Sequence, residues 1–373
     1  MSPLPPGFAH PFDVATADAY LAGSLPDVLQ EVRSHVAGVH QDIGRIGAFL
    51  LSDDGAALTY WADCDGRVLP CPAPFSELPL NPSLSRCGAT GRAQTTFVRP
   101  DPALEWAGDG NLCPLLILPI RHQRGFFGFL VFESSRTLAA PARLIRELSA
   151  WGPLAAGLVA RGIESIRTLI DTTRFAHDLT LMRDEETGMH QLRLRDYVRI
   201  IADELTLAHG LPEGFADELA LFGPLHDIGK VGIPDEILLK PGRLERFEWE
   251  KMKEHVVKGR ELVDRLIEGF ALQDTPGIRT LHDVVSWHHE YLDGSGYPDG
   301  RMADQIPLTT RVVSTADIFD ALTGARPYKP SWTPDQAFEE IKSLAGTRLD
   351  AECVAAMLSA RSRIEAAWQG HQA

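Results

Sequence analysis

The spacing of apolar positions changes character along the chain. Residues 14–39 place them every three or four positions, as on one face of a helix. Residues 43–61 read as strand, turn and strand, and a second strand pair is expected at 115–120 and 126–132. The pattern therefore predicts an α+β domain, an antiparallel sheet with helices, over residues 15–140.

From residue 141 onward the spacing is helical almost to the end. A long helix is predicted over 141–181, and Gly152-Pro153 should interrupt or kink it. Residues 182–373 carry further helical segments separated by proline and glycine, which predicts an all-α bundle of six or more helices. These segments are expected at 197–207, 216–226, 247–267, 278–289 and 310–323.

The predicted organisation is multidomain: an N-terminal tail at 1–14, the α+β domain at 15–140, a linker helix at 141–181 and the helical bundle at 182–373. A length of 373 residues suits two or three domains. The apolar seam of the linker could pair with its copy in a homodimer or pack on its own domain. The sequence does not decide between these two arrangements.

Composition narrows the class of partner. A net charge of −15 makes nucleic acids and anionic membranes poor partners, because their phosphates would be repelled. A small phosphorylated substrate stays possible, since bound metal ions can invert the local charge. No apolar run approaches the ~20 residues of a membrane helix, and the first residues lack a signal-peptide pattern. We therefore expect a cytoplasmic protein.

Cysteines point to no special chemistry. The five cysteines include no Cys-x-x-Cys pair, so neither a zinc site nor a disulfide framework is expected. The simplest expectation is that they are small buried side chains.

Histidines carry the strongest chemical signal. Glu186 and His190 are one helical turn apart, and His226-Asp227 and His288-His289 are adjacent pairs. A set of satisfied core residues would have to explain five histidines and three acids together, so metal binding is the better hypothesis. The candidate ligands are Glu186, His190, His226, Asp227, His255, His288, His289 and Asp317. His282 does not share the pattern and is expected to be structural.

The types of ligand restrict the metal. Imidazole and carboxylate without thiolate suit iron, manganese, zinc, nickel or cobalt. Eight candidates exceed the four ligands of one tetrahedral zinc ion. Neighbouring helical residues point ~100° apart, so one ion cannot easily hold both His288 and His289, while Asp227 could bridge two ions. The residues predict a centre of two or three metal ions.

Two long motifs reveal a family resemblance. His226-Asp-Ile-Gly-Lys230 resembles the HD phosphohydrolase signature, and the segment from His288 through Gly296-Tyr-Pro298 resembles its Gly-Tyr-Pro extension. The match continues from Asp317 to Lys329. Over about residues 180–360 the chain is similar to HD-GYP cyclic-di-GMP phosphodiesterases.

The resemblance implies a ligand set and a metal. The family's ligands fall on His226, Asp227, His255, His288, His289 and Asp317. Members with a third metal also have a Glu-Thr-Gly-x-His element, which matches Glu186 to His190. A centre of two or three divalent ions is thus implied, with iron expected and manganese as the alternative.

The resemblance also implies an activity. Hydrolysis of cyclic di-GMP would give pGpG and, after a second cut, GMP. Asp227 and Lys230 would be catalytic, and Lys230, Arg326 and Lys329 would contact substrate phosphates. Tyr297 could stack on a guanine or pack the loop. The alternatives are a cyclic-dinucleotide receptor with a structural metal site and a phosphodiesterase for another cyclic dinucleotide, such as cyclic GMP-AMP.

Residues 15–140 resemble a GAF domain. The similarity rests on the helix-then-hairpin opening, on a short helix that ends at Gly88-Ala-Thr-Gly91, and on the closing hairpin through Gly125 and Gly128. The family implies either a sensor pocket for an unknown small molecule or a platform for dimerisation. Either role would regulate the hydrolase.

Overall fold

The structure is a computed structural model. It describes residues 14–37, 43–52, 57–74, 81–98, 113–122, 125–134, 141–183, 185–212, 214–324 and 331–371. The chain divides into two compact units, a sheet unit of Leu21–Arg167 and a helical unit of Thr168–Ala373 together with Met1–Tyr20. The predicted domain limits at 140 and 181 remain predictions.

The sheet unit contains antiparallel strands and helices. Its elements in chain order are α1 (Val14–Ala37, shared with the helical unit), β1 (Ile43–Leu51), β2 (Ala57–Asp63), β3 (Val68–Pro74), α2 (Asn81–Thr90), β4 (Gln94–Val98), β5 (Cys113–His122), β6 (Gly125–Ser134) and the first part of α3 (Pro141–Arg183). The strand order is β3-β2-β1-β6-β5-β4. The expected sheet and helices are present.

The two strands that the pattern did not predict, β3 and β4, are the edges of this sheet. β3 contains three prolines, which lack the N–H that an inner strand must donate, and an edge position tolerates them.

At the centre of the sheet, β1 and β6 approach closely: a Cβ on Gly128 would lie 1.9 Å from the carbonyl oxygen of Phe49. Gly128 also has a φ of +149°, which side chains disfavour.

Helix α3 is continuous through Gly152-Pro153, so of the two expected outcomes, an interruption or a kink, the interruption does not occur. A proline removes a single helical hydrogen bond, and packing can compensate for it. A Cβ on Gly152 would lie 2.4 Å from Leu118 Cδ1, so the helix packs tightly on β5 at this point.

The helical unit is a bundle around one apolar core. After α3 its elements are α4 (Glu185–His209), α5 (Phe215–Phe222), 3₁₀ turns at Gly223–Leu225 and Ile228–Gly232, α6 (Asp235–Leu238), α7 (Arg246–Phe270), α8 (Ile278–Trp287), a 3₁₀ turn at Ala303–Gln305, α9 (Leu308–Thr323), α10 (Pro334–Leu344), α11 (Ala351–Ser359) and α12 (Arg361–Gly370). Tyr197 of α4, Phe319 of α9 and Phe338 of α10 are fully buried in this core. Their packing fixes the faces that α4 and α9 turn toward the site.

Helix α5 ends earlier than its apolar pattern predicts. The α-helix stops at Phe222, and Gly223-Pro224 continues as a 3₁₀ turn. Pro224 cannot donate the backbone hydrogen bond that a continuing α-helix needs. The turn instead carries His226 and Asp227 away from the helix axis. Among the described residues, no helix has the length and apolar character needed to cross a membrane.

Candidate metal centre

Five segments of the helical unit carry the histidine and aspartate side chains. His190 lies on α4, His255 on α7 and Asp317 on α9. His226-Asp227 lies between two 3₁₀ turns, and His288-His289 directly follows α8. The elements meet because the packed core holds α4, α8 and α9 together.

A glycine of the His-Asp motif permits the approach of α7. A Cβ on Gly229 would lie 1.8 Å from the carbonyl oxygen of His255 and 2.4 Å from the backbone nitrogen of Gly259. A larger residue would push the turn away from α7. The spacing His226-Asp-x-Gly229 thus brings Asp227 against His255.

The side chains form two groups that could each hold a metal ion. One group comprises Asp227, His255, His288 and His289, and the other comprises His190, His226 and Asp317. Within each group the candidate ligand atoms lie within 4.8 Å of one another. Seven of the eight predicted ligands are therefore gathered at one place. Glu186, the eighth, lies on α4, and its side chain lies outside the described residues.

Four of the histidine rings are oriented through Nδ1. His226 donates to the carbonyl of Gly223 (3.0 Å), His255 to that of Met252 (2.8 Å) and His288 to that of Val284 (3.1 Å). His190 Nδ1 donates to Asp320 Oδ2 at 2.8 Å. Carbonyl and carboxylate oxygens only accept, so each Nδ1 carries a proton, and in the neutral form of each ring Nε2 is the nitrogen with the lone pair. This orientation is characteristic of histidine ligands of metals.

The Nε2 atoms of these rings lie in close pairs. His255 Nε2 lies 3.2 Å from His288 Nε2, and His190 Nε2 lies 3.4 Å from His226 Nε2. Two Nε2 lone pairs at this distance would repel, whereas a cation between them would be attracted by both. The donor set therefore fits a divalent metal, which neutral imidazole and carboxylate ligands suit.

Asp227 reaches both groups through its two oxygens. Its Oδ1 lies 3.1 Å from His255 Nε2 and 3.8 Å from His288 Nε2, while Oδ2 lies 3.2 Å from His226 Nε2. Oδ1 is buried and has no hydrogen-bond donor among the described residues. Lys230 donates to Oδ2 at 2.6 Å. One carboxylate is thus in position to serve two cations.

Electrostatics favour the forms that bind cations. Burial lowers the pKa of His289 to about 3 and lowers that of His288 well below its usual range. Burial disfavours the charged form of Asp227, but Lys230 and then His226 hold the pKa of its carboxyl well below the usual value. Near neutral pH the two adjacent histidines are neutral and Asp227 is ionised.

Asp320 and Arg193 support the second group and were missed by the sequence analysis. Asp320 is buried, accepts from His190, and also accepts two hydrogen bonds from Arg193, at 2.6 and 2.8 Å. Burial opposes its ionisation, but Arg193 and His190 hold the pKa of Asp320 at about 2. The sequence signal was its position one helical turn after Asp317 on α9. Asp320 therefore orients the His190 ring.

The Gly-Tyr-Pro loop is fixed to the end of α8 by Glu290. This buried side chain accepts the backbone N–H groups of Asp299 (2.6 Å) and Arg301 (2.9 Å). A Cβ on Gly296 would lie 2.5 Å from the backbone of Glu290, so only glycine fits there. The Tyr297 N–H donates to the His289 carbonyl at 3.1 Å.

Tyr297 packs on a ligand candidate. Its ring lies 4.7 Å from the ring of His289 with a 33° angle between the planes. This contact holds the His289 ring in place. A contact of Tyr297 with substrate remains a prediction.

His282 lies outside the two ligand groups. Its ring is close to Asp264 and Trp287 instead.

A cavity of about 440 Å³ opens over both groups. Asp227, Lys230, Tyr297 and Asp317 line it, which places the two catalytic candidates at its surface. Besides these polar residues, apolar side chains from residues 237–252 line the same cavity. The predicted phosphate-binding residues Arg326 and Lys329 lie outside the described residues.

Comparison with known proteins agrees with this geometry. A family model described as HD domain matches residues 177–353. The chain is 40% identical over 187 residues to the cyclic di-GMP phosphodiesterase response regulator RpfG of Xanthomonas campestris, covering 49% of this chain and 46% of that protein. It is 38% identical over 196 residues to a cyclic di-GMP phosphodiesterase of Thermotoga maritima, covering 52% and 50%.

A third relative bears a different substrate in its name. The 3'3'-cGAMP-specific phosphodiesterase 2 of Vibrio cholerae is 35% identical over 202 residues, covering 52% of this chain and 37% of that protein. The chain thus spans half or less of the length of these relatives. The His-Asp and Gly-Tyr-Pro motifs and the paired ligand groups all lie within residues 177–353, the segment that is similar to the HD domain family.

Proposed function

We propose that the helical unit is a metal-dependent phosphodiesterase that hydrolyses cyclic di-GMP to pGpG and, by a second cut, to GMP. The observation that carries the proposal is the pair of ligand groups beside an open cavity, with Asp227 in one group and its Oδ2 3.2 Å from His226 of the other. The cyclic di-GMP phosphodiesterases among its relatives support this choice of substrate.

The chain supplies the environment for this reaction. Divalent cations at such a centre acidify a water molecule and offset charge on the phosphoryl oxygens. Asp227 directs one oxygen to each ligand group, and its depressed pKa keeps it ionised. Lys230 presents an ammonium group beside it at the cavity surface, where it would donate to a phosphate oxygen.

The proposed centre holds two ions, or three if Glu186 contributes. The group with Asp227 and His255 offers four ligands, and the group with His190 offers three. Glu186 lies four residues before His190 on the same helix, so a third ion between them is part of the proposal. Nitrogen and oxygen donors without thiolate suit several divalent metals, and the resemblance to HD-GYP phosphodiesterases makes iron the proposed metal and manganese the alternative.

Arg326, Lys329 and Tyr297 complete the proposed substrate site. The side chains of Arg326 and Lys329 would contact the phosphate that is not cleaved. Bidentate contact by the arginine would hold this phosphate in a fixed position. The ring of Tyr297 is already packed on His289, so its main role is proposed to be support of that ligand.

One experiment tests the proposal and its rivals. Full-length protein, purified anaerobically and analysed for metal, is incubated with cyclic di-GMP, cyclic GMP-AMP and cyclic di-AMP, and the products are separated by chromatography. We expect release of pGpG from cyclic di-GMP. Preferential cleavage of cyclic GMP-AMP would favour the activity named for the Vibrio relative. Tight binding without cleavage would identify a receptor.

We further propose that the sheet unit is a GAF-like regulatory module and that the chain forms a homodimer through α3. Trp151 and Leu154 are exposed on one face of this helix, while Ile163, Ile166 and Ile170 of the predicted seam are buried within the chain. The exposed pair, rather than the whole seam, would therefore contact a second copy. A monomeric mass at micromolar concentration would contradict the dimer.

A further inference from the structure

Exposed apolar side chains line the cavity beside the two ligand groups. Leu239 is 51% exposed and Trp249 is 49% exposed, and both line the cavity together with Met252. A large aromatic side chain left open to solvent next to other apolar residues marks a binding surface more often than an ordinary protein surface. We call Leu239, Trp249 and Met252 the apolar wall.

Helix α7 connects the apolar wall to the ligand groups, because it carries Trp249, Met252 and His255. Trp249 precedes His255 by six residues on this helix, which corresponds to about 9 Å along the helix axis. The carbonyl of Met252 accepts the Nδ1 proton of His255 at 2.8 Å. A ligand with its phosphate at His255 would therefore extend its next chemical group along the wall.

The apolar wall is also held in place before any ligand arrives. Lys240 donates to both carboxylate oxygens of Glu248 at 2.7 and 2.6 Å, and Glu248 also accepts the backbone N–H of Glu245 at 2.7 Å. These bonds fasten the loop that bears Leu239 to the first turn of α7. A fixed surface loses little conformational entropy on binding.

The charges around the cavity restrict what the wall can recognise. Lys240 is engaged by Glu248, and Lys230 by Asp227. The apolar wall itself presents an indole ring, a leucine and a thioether. These groups suit a flat, weakly polar ring rather than a second phosphate, and a purine base has that shape.

We infer that the apolar wall is the binding site for one purine base of the substrate and that Trp249 is the surface on which the base stacks. The inference rests on the proposed phosphodiesterase function and adds a determinant of substrate affinity to it. Stacking on an aromatic side chain tolerates different bases, so Trp249 would favour nucleotides over other phosphodiesters without selecting guanine.

A pair of ligands isolates the contribution of the base. GMP and ribose 5-phosphate share sugar and phosphate and differ by the base, and their affinities for metal-loaded full-length protein can be measured by calorimetry. We expect wild type to bind GMP at least ~10-fold more tightly, which corresponds to about 1.4 kcal/mol. Equal affinities in wild type would overturn the inference.

Substitutions then assign that contribution to the wall. Trp249→Ala should weaken GMP binding ~10-fold and leave ribose 5-phosphate within about twofold, while Trp249→Phe should keep most of the difference. The matched control is Phe247→Ala: Phe247 is exposed on the same helix but is not among the residues lining the cavity, and its removal should change neither affinity. Equal weakening of both ligands by Trp249→Ala would contradict a base site.

Two further measurements separate this inference from the proposed function. Trp249→Ala should raise KM for cyclic di-GMP ~10-fold with kcat and metal content unchanged within about twofold. An unchanged KM would overturn the inference while leaving the phosphodiesterase intact. If wild type cleaves no cyclic dinucleotide, the proposed function fails, and the comparison of GMP with ribose 5-phosphate still decides the base site. Leu239→Ser provides a second variant, with the same expected direction, should Trp249→Ala fold poorly.

Discussion

Each unit of the protein contains a buried aspartate, and the two are surrounded very differently. Asp63 of the sheet unit is 0% exposed, and its Oδ1 accepts the backbone N–H groups of Asp65 (2.9 Å) and Arg67 (3.2 Å). Asp227 of the helical unit is 4% exposed, yet its Oδ1 faces histidine nitrogens that carry lone pairs.

The difference separates a structural carboxylate from a binding one. Asp63 closes the turn between β2 and β3, and its Oδ2 also has no hydrogen-bond donor among the described residues, but this oxygen lies 3.7 Å from Nε of the Arg45 guanidinium. Asp227 has its lysine partner, Lys230, on Oδ2, whereas its Oδ1 faces histidine nitrogens. A buried carboxylate oxygen that faces neither a donor nor a fixed positive charge is costly, so the arrangement of Asp227 makes sense for a site that is completed by a bound cation. Three substitutions and one titration test this difference.

The largest effect is expected from Asp227→Ala. Removal of the carboxylate that serves both groups should lower turnover of cyclic di-GMP by on the order of 10³-fold or more and reduce the bound metal. Activity is measured beside metal content and circular dichroism. Asp283→Ala is the control, since Asp283 is also buried in this unit but belongs to neither group. Wild-type turnover in a folded Asp227→Ala protein would refute the assigned mechanism.

Asp320→Asn should have the next largest effect. It keeps the shape of the side chain but weakens its hold on the His190 ring and on Arg193. Loss of such a supporting partner costs ~10–100-fold in metal affinity. Competition with a chelator measures this, and Asp217→Asn, which alters another arginine-paired carboxylate of the unit, should leave metal affinity unchanged. Equal loss in both variants would point to a general effect of charge.

Asp63→Ala should affect stability instead of activity. It leaves two backbone N–H groups of the β2–β3 turn without their acceptor, so we expect the free energy of unfolding to fall by about 1–2 kcal/mol. Asp65→Ala, which removes a more exposed partner of Arg33, should cost less than about 1 kcal/mol. Chemical denaturation checks both values, and metal loss in Asp63→Ala would break the contrast with Asp227.

The titration concerns the metal-free protein, whose stability should depend on pH. The pKa of His289 is about 3 in the folded protein against ~6.5 when unfolded, so the unfolded state binds more protons between these values. Stability should therefore fall on acidification below pH ~6.5, by up to about 1.4 kcal/mol per pH unit from this group. Urea unfolding at several pH values measures the slope, and His289→Gln should reduce it. Identical slopes in both proteins would contradict the assignment.

Much of the local structure could be predicted from the sequence. The pattern located α1, both central hairpins, α2 and the helices of the C-terminal half, because these elements bury a periodic apolar face. It missed β3 and β4, which lie at the sheet edges and are short or rich in proline. It also predicted an interruption or a kink in α3 at Gly152-Pro153, and the helix continues without an interruption.

The ligand candidates were recognisable for a chemical reason. Ionisable residues such as Asp317 in an apolar helix, or adjacent pairs such as His288-His289, are expensive to bury unless they bind something. Their supporting partners carried no such mark. Asp320 and Glu290 look like ordinary acids in the sequence, and only the contacts with His190 and with the Gly-Tyr-Pro loop reveal their roles.

The sequence by itself determined which residues have the chemistry to hold a cation, because ligand type is a property of each side chain. The tertiary structure decided how they are combined. His190 and Asp320 are separated by 130 positions, and they meet only because the buried faces of α4 and α9 pack in one register. The division of the ligands into two groups around Asp227, and the apolar wall beside them, depend on that long-range packing, which no local pattern encodes.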